Sequence, residues 1–155
     1  MYIYVTADLH LGHEKAALAR GFTSIEEHDN AIIANINNMV TKRDCLYILG
    51  DVAFKRTSLE LLVTIPCVKK LILGNHDMYN MDLYRKYFSQ IFGAIRLQGC
   101  ILTHIPVATT EFPRYRLNIH GHLHSKTIPD SRYKCVSLEQ NALRPFNLAE
   151  LTKRE

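Results

Sequence analysis

The sequence has 155 residues, 47% hydrophobic and 22% charged, with 19 Lys and Arg against 15 Asp and Glu for a formal charge of +4. This is the composition of one ordinary globular domain, long enough to bury roughly 70% of its unfolded surface without covalent staples, which excludes a disordered chain or a disulfide scaffold. The positive excess is too small and too evenly spread to signal nucleic-acid binding, and the longest apolar runs, as at residues 45–49, fall far short of the ~20 residues of a membrane-spanning helix.

In chain order, residues 2–5 read as a first strand. They lack a basic leader, so the chain is expected in the cytoplasm. Ser24-Ile25-Glu26-Glu27 fits a capping box. It predicts a helix in which Ile25, Ile32, Ile33, Ile36, Met39 and Val40 keep helical spacing and cover one side of a sheet. A second strand follows at 45–49, a shorter helix at 59–65 stopped by Pro66, a third strand at 70–73 and a third helix at 78–91. Strands at 100–103, 117–119 and 133–138 complete the chain. The alternation in the first half predicts parallel strands with right-handed crossovers, and the later strands are expected to be more antiparallel, all within a single domain over 1–155.

Histidine is over-used: the chain has eight, more than its six Phe, and no Trp. Proton transfer and metal ligation are the special uses of imidazole. The four cysteines, Cys45, Cys67, Cys100 and Cys135, form no Cys-x-x-Cys pair and read as reduced, buried apolar residues.

Five polar clusters each follow a predicted strand: Asp8-Leu9-His10, Gly50-Asp51, Gly74-Asn75-His76-Asp77, Thr103-His104 and Gly121-His122-Leu123-His124. Ligands of open α/β sheets bind beyond the carboxyl ends of the strands, so one sheet edge would gather all five. Asp8, His10, Asp51, Asn75, His104, His122 and His124 offer carboxylate, amide and imidazole donors but no thiolate. Seven donors exceed one tetrahedral ion, whereas two ions of higher coordination could share them through a bridging carboxylate. Such a pair, roughly 3.5–4 Å apart, suits displacement at a phosphate ester. In Asp8-x-His10 and His122-x-His124, an extended chain would aim both members of each pair at one site. The glycines before the ligands let the backbone come close.

This ordered series resembles the calcineurin-like metallophosphoesterases over Asp8 to His124, Gly-Asn-His-Asp and Gly-His-x-His together being its specific part. The resemblance implies a four-layer αββα sandwich: two mixed β-sheets face to face, flanked by helices, in a minimal version. It implies two divalent ions, Mn²⁺ foremost, with Fe²⁺, Zn²⁺ or Ni²⁺ as alternatives. Asp8, His10, Asp51 and His124 would hold one, and Asp51, Asn75, His104 and His122 the other, with Asp51 bridging and a hydroxide between them as nucleophile. His76 would protonate the leaving oxygen and Asp77 would orient or polarise its imidazole. The partner implied is a small phosphodiester or phosphomonoester, a nucleotide included, with no membrane.

Departures from the family narrow the reading. Gly50-Asp51-Val52-Ala53-Phe54-Lys55 and the closing Asp77 differ from the protein phosphatases, and only 31 residues follow His124, too few for the capping domain of the superfamily's DNA-repair nucleases. Asp8-Leu9-His10-Leu11-Gly12-His13, with Arg20-x-Phe22 behind it, resembles small phosphoesterases of bacteria and phages. The alternatives are a small metal-dependent nuclease and a non-catalytic scaffold of the same fold. Outside the motifs, His13 is either a substrate contact or a surface loop residue, His120 is expected to pack or to support the ligands, and His28 to lie on a helix surface. Lys55, Arg56, Arg114 and Arg116 read as solvated loop charge, and Phe112, Tyr115 and Tyr133 as aromatics pinning loops.

Overall fold

In the computed structural model, which describes residues 1–154, strand alternation splits the apolar residues between two cores. The first sheet is built from β1 (Ile3–Thr6), β2 (Cys45–Ile48), β3 (Val68–Ile72), β4 (Gln90–Phe92) and β9 (Phe146–Asn147), in the order β4-β3-β2-β1-β9. β1 to β4 are parallel and β9 runs antiparallel to β1. The second sheet has the order β5-β6-β7-β8, from β5 (Ile95–Leu97), β6 (Cys100–Leu102), β7 (Leu117–His120) and β8 (Tyr133–Cys135).

Tyr4, Leu46, Ile48 and Leu71 point to one face of the first sheet, where Ile32, Ile33 and Ile36 of α2 (Ile25–Asn37) and Leu59 and Leu62 of a 3-10 segment (Arg56–Thr64) cover them. Val5, Cys45, Tyr47 and Ile72 point the other way, onto Cys100, Leu102 and Ile119 of the second sheet. Both faces of β2 are therefore buried, which is why its sequence is a continuous apolar run. The outer face of the second sheet is covered by a loop with one 3-10 turn (Thr109–Glu111). Asn118 accepts the Val107 amide at 3.0 Å, Tyr133 donates to the Val107 carbonyl at 2.6 Å, and Phe112 packs edge-on against Tyr133. The αββα order thus holds with its fourth layer reduced to this loop, and both sheets are mixed.

The expected helix at Ser24 forms, and Ser24 Oγ accepts the Glu27 amide at 3.1 Å. Glu27 does not reach back to Ser24 but binds the Thr23 hydroxyl. Of the helix expected at 78–91, only α3 (Met81–Tyr84) is helical, and residues 90–92 are β4. The exposed edge of β3 offers backbone partners, and Ser89 N to Lys69 O (2.9 Å) and Leu73 N to Phe92 O (2.9 Å) take them. In the second half, where more antiparallel pairing is expected, β5-β6 is antiparallel, but β6-β7 and β7-β8 are parallel because the loops between these strands are long enough to cross over without a helix. α1 (Glu14–Ala19), β4, β5, β9 and α4 (Leu148–Leu151) were not foreseen. All four cysteines are free thiols, three of them buried. No helix among the described residues is long and apolar enough to cross a membrane.

Beyond β8 the chain turns toward the first sheet: Ala7 donates to Val136 O at 3.0 Å, Leu138 donates to Ala7 O, and Ser137 bridges Ala7 in parallel. That link joins the two sheets directly beside Asp8.

Candidate metal centre

The residues after β1, β2, β3, β6 and β7 converge where the sheets meet. The backbone there departs from the extended reading: Asp8 (φ 59°), His10 (49°), Asp51 (55°), His122 (72°) and His124 (53°) are all left-handed. Asp and His tolerate this region better than branched residues, at a cost of about 1–3 kcal/mol each when strained. Backbone pairing between the ligand loops offsets it, through Asp8 N to Gly50 O and His10 N to Asp51 O (each 3.0 Å).

Asp8 is fully buried. Its Oδ2 accepts Ser137 Oγ at 2.6 Å and the His122 amide at 2.9 Å. Its Oδ1 has no hydrogen-bond partner and lies 3.7 Å from His10 Nε2 and 3.9 Å from His124 Nε2. Asp51 Oδ1 accepts the His76 amide at 3.0 Å, while Oδ2 sits 3.6 Å from His10 Nε2 and 3.4 Å from His104 Nε2. Two overlapping groups result, Asp8-His10-His124 and Asp8-Asp51-His104, each with candidate ligand atoms within 4.8 Å of one another. Asn75 Oδ1 lies 2.9 Å from His104 Nε2, and the His122 ring stands 5.2 Å from the His104 ring.

Whether these residues fit a cation is answered by their unmet valences. Asp8 Oδ1 and His10 Nε2 face one another, buried and without hydrogen-bond partners, a costly state for polar atoms unless a cation sits between them. The oxygen and nitrogen donor set suits a divalent metal of hard or borderline character. Two histidines are also held in the tautomer that ligation needs, because His104 Nδ1 donates to Leu49 O at 2.7 Å and His124 Nδ1 faces Glu139 Oε1 at 3.1 Å, leaving Nε2 to the centre.

Burial pushes the Asp8 carboxyl up, but His10 and Ser137 hold it below its ordinary range, and His104 and the His76 amide do the same for Asp51. Burial works to lower His104, yet Asp51 and the Leu49 carbonyl raise it, and Glu139 raises His124. For Glu139, burial is outweighed by His124 and Arg20, which bring it down to about 2.

Gly50, with φ 88°, lies where a Cβ would meet His104 Nδ1 at 2.5 Å. At Gly121 a Cβ would stand 2.8 Å from Asp8 Oδ2. These two positions allow the ligand loops to pack backbone to side chain.

His76 is exposed at the rim, its ring 6.3 Å from that of His10. Asp77 does not contact it. Its carboxylate makes other bonds than the one expected with His76: Asp77 is buried and accepts the amides of Asp51 (2.8 Å), Gly74 (2.8 Å) and Val52 (2.9 Å). His13 is half-buried and stacks on Phe54 at 3.9 Å, and Phe54 also faces His10 and His76. Burial lowers the His13 imidazole. His120 is buried with Nδ1 on Gly121 O, as expected of a packing residue.

His28, expected on a helix surface, is instead fully buried between Arg20 and Asp29. Arg114 pairs with Glu111, and Arg116 donates to Thr152 O. Phe54, Ser137 and Glu139 were missed. Ser137 and Glu139 lie 129 and 15 residues from the side chains they hold, Asp8 and His124, at separations that no local spacing reveals. A cavity of about 370 Å³ lined by His10, His13, Lys15, His124 and Glu139 adjoins the centre, and another of about 410 Å³ is lined by Asn75, Thr103, His104 and Ile105.

Comparison with known proteins bears on this geometry. The family model of calcineurin-like phosphoesterases matches residues 1–153. A gene 66 protein of Mycobacterium phage D29 is 31% identical, over 81% of this chain and 80% of its own length. An uncharacterised protein of Methanocaldococcus jannaschii is 29% identical over 97% of this chain and 89% of its own. A solved structure of a protein of unknown function from Aquifex aeolicus superposes with a TM-score of 0.78 at 24% identity, covering 97% of both chains. It shares the fold.

Proposed function

The chain belongs to the calcineurin-like phosphoesterases, and on that premise we propose that it is a divalent-metal-dependent hydrolase of a small phosphodiester or phosphomonoester, a nucleotide being the substrate class in view. The observation that supports this best is the buried Asp8 Oδ1, without a partner and facing His10 Nε2 and His124 Nε2, with Asp51 Oδ2 reaching both His10 and His104.

In this reading Asp8, His10, Asp51 and His124 hold one ion, and Asp51, Asn75, His104 and His122 the other. The ions, Mn²⁺ foremost, with Fe²⁺, Zn²⁺ or Ni²⁺ as alternatives, would supply Lewis acidity toward the phosphoryl oxygens and an activated nucleophile at neutral pH. The protein's own work is to hold the donors. The Leu49 carbonyl and the Glu139 carboxylate keep two imidazoles in the ligating tautomer, and Ser137 with the His122 amide fixes the Asp8 carboxylate. His76, exposed at the rim, is free to reach a leaving oxygen and give it a proton. Phe54 and His13 form a stacked wall on that side. The reading places the protein in the cytoplasm.

The test is a metal-reconstituted screen of aryl phosphomonoesters, aryl phosphodiesters and 2′,3′-cyclic nucleotides with Mn²⁺, Ni²⁺ and Zn²⁺. Hydrolysis of at least one class that disappears with chelator is expected. Absence of turnover across the whole panel would contradict the proposal and favour a scaffold.

A further inference from the structure

We infer that Glu139, anchored by Arg20, is a positioning residue that governs the hold on one of the two ions and not the other, an inference that rests on the metal-dependent reading above. Glu139 Oε1 accepts from Arg20 Nε at 2.7 Å and from His124 Nδ1 at 3.1 Å, and Arg20 Nη2 stands 2.6 Å from it as an ion pair. The same guanidinium donates from Nη2 to the Asp8 carbonyl at 2.6 Å and from Nη1 to the Leu9 carbonyl at 3.0 Å. One side chain therefore grips the backbone of one ligand loop and the carboxylate that orients a ligand of another, across 119 residues of sequence.

The arrangement is a built one. The Arg20 side chain is 4% exposed, so its ion pair escapes the screening that makes surface pairs weak. Its remaining contact is His28 Nε2 at 3.0 Å. An imidazole that accepts there must donate from Nδ1, which lies 2.7 Å from Asp29 Oδ1, and Asp29 Oδ2 in turn accepts the Gly12 amide at 2.9 Å. Gly12 closes the loop that begins at Asp8. The relay thus starts and ends on one ligand loop, through buried groups that no apolar packing demands.

Its reach is one-sided. His124 belongs to the Asp8-His10-His124 group alone and takes its bond from Glu139, whereas Asp8, whose backbone Arg20 holds, is shared by both groups, so the one-sided part runs through Glu139. On the other side, His104 Nδ1 donates to the neutral Leu49 carbonyl, and Asn75 Oδ1 stands 2.9 Å from His104 Nε2 on the side of the centre. A carboxylate partner makes a ligating imidazole a better donor than a carbonyl partner does, and outer partners of this kind typically change metal affinity by about 10–100-fold. Removing Glu139 should weaken the ion at Asp8, His10 and His124 by that factor and leave its neighbour's affinity unchanged.

The experiment is a calorimetric titration of the metal-free full-length protein with Mn²⁺, read beside its electron paramagnetic resonance spectrum. Wild type is expected to take up two ions with the spectrum of a coupled pair. Glu139→Ala should keep one affinity, lose about 10–100-fold in the other, and at limiting Mn²⁺ give the spectrum of isolated ions. Glu139→Gln, which retains an acceptor for the His124 Nδ1–H, should recover much of the loss. Should Glu139→Ala not fold, Glu139→Asp makes the same comparison. Two unchanged affinities in the variant, or equal weakening of both, would overturn the inference. A wild-type protein that binds no pair of Mn²⁺ ions would overturn the metal-dependent reading beneath it, a distinct result because it appears before any substitution is made.

Discussion

Asp77 holds the backbone of Asp51: its Oδ2 accepts the Asp51 amide at 2.8 Å, and the same oxygen accepts Gly74 N while Oδ1 takes Val52 N. The fourth residue of the Gly-Asn-His-Asp motif thus binds the loop that carries the neighbouring Gly-Asp motif. Its hydrogen bonds fix where Asp51 stands.

Asp77→Asn replaces one of these acceptors with an amide that faces donors, at a cost of about 1–3 kcal/mol. For a chain of this size that corresponds to a Tm loss of very roughly 2–12 °C. Metal uptake should weaken with it, and rates on good and poor leaving groups should fall together. A loss confined to poor leaving groups would return Asp77 to a role through His76.

His76→Ala should retain the metal content of the wild type, because in the proposed arrangement His76 is not a ligand. Turnover of alkyl esters should fall by about 10²–10⁴-fold, the range for a positioned general acid, with a smaller loss for nitrophenyl esters. Undiminished hydrolysis of alkyl esters would remove His76 from proton transfer.

Gly50→Ala places a Cβ 2.5 Å from His104 Nδ1 and 2.6 Å from Gly74 Cα, at a φ of 88°. Backbone strain of about 1–3 kcal/mol adds to the displacement of the imidazole. Both Tm and uptake of the ion near His104 should drop. A variant with wild-type Tm and metal affinity would show that this close approach has no consequence.

The pH dependence of the metal-free protein follows from the His124–Glu139 pair. Glu139, held down to about 2 from 4.5, gives stability that is present above about pH 4.5 and lost as pH falls toward 2. His124 is raised above 6.5, so its share is complete below pH 6.5 and disappears as pH rises through the folded value. The Tm difference between wild type and Glu139→Gln in chelator should therefore be largest between about pH 4.5 and 6.5 and shrink on both sides. Parallel curves from pH 2 to 8 would contradict the pairing.

What the sequence disclosed, and what it withheld, divides along physical lines. The motif residues were legible because candidate metal donors and their glycines sit in short local patterns after strands, and α2 was legible through its Ser24 cap and helical spacing. The convergence of five left-handed residues was not, since an Asp-x-His spacing reads alike whether the chain is extended or coiled back. β4 was hidden because Leu83, Tyr84 and Phe88 keep helical spacing almost to the point where Ser89 joins the edge of β3. Arg20 and Glu139 escaped because each looks like surface charge until the fold joins them across 119 residues, and His28 because a polar residue within α2 reads as surface although Arg20 and Asp29 enclose it.

The central claim is that Asp51 joins the two halves of a metal centre that hydrolyses phosphate esters. Its most direct test is Mn²⁺-dependent turnover of an aryl phosphodiester, or of whichever ester class the screen identifies, by wild type and by Asp51→Asn at equal folded concentration. Chelator-sensitive hydrolysis by the wild type is expected, with a loss of about 100-fold in the variant and weakened uptake of both ions. Turnover by Asp51→Asn equal to that of the wild type would contradict it.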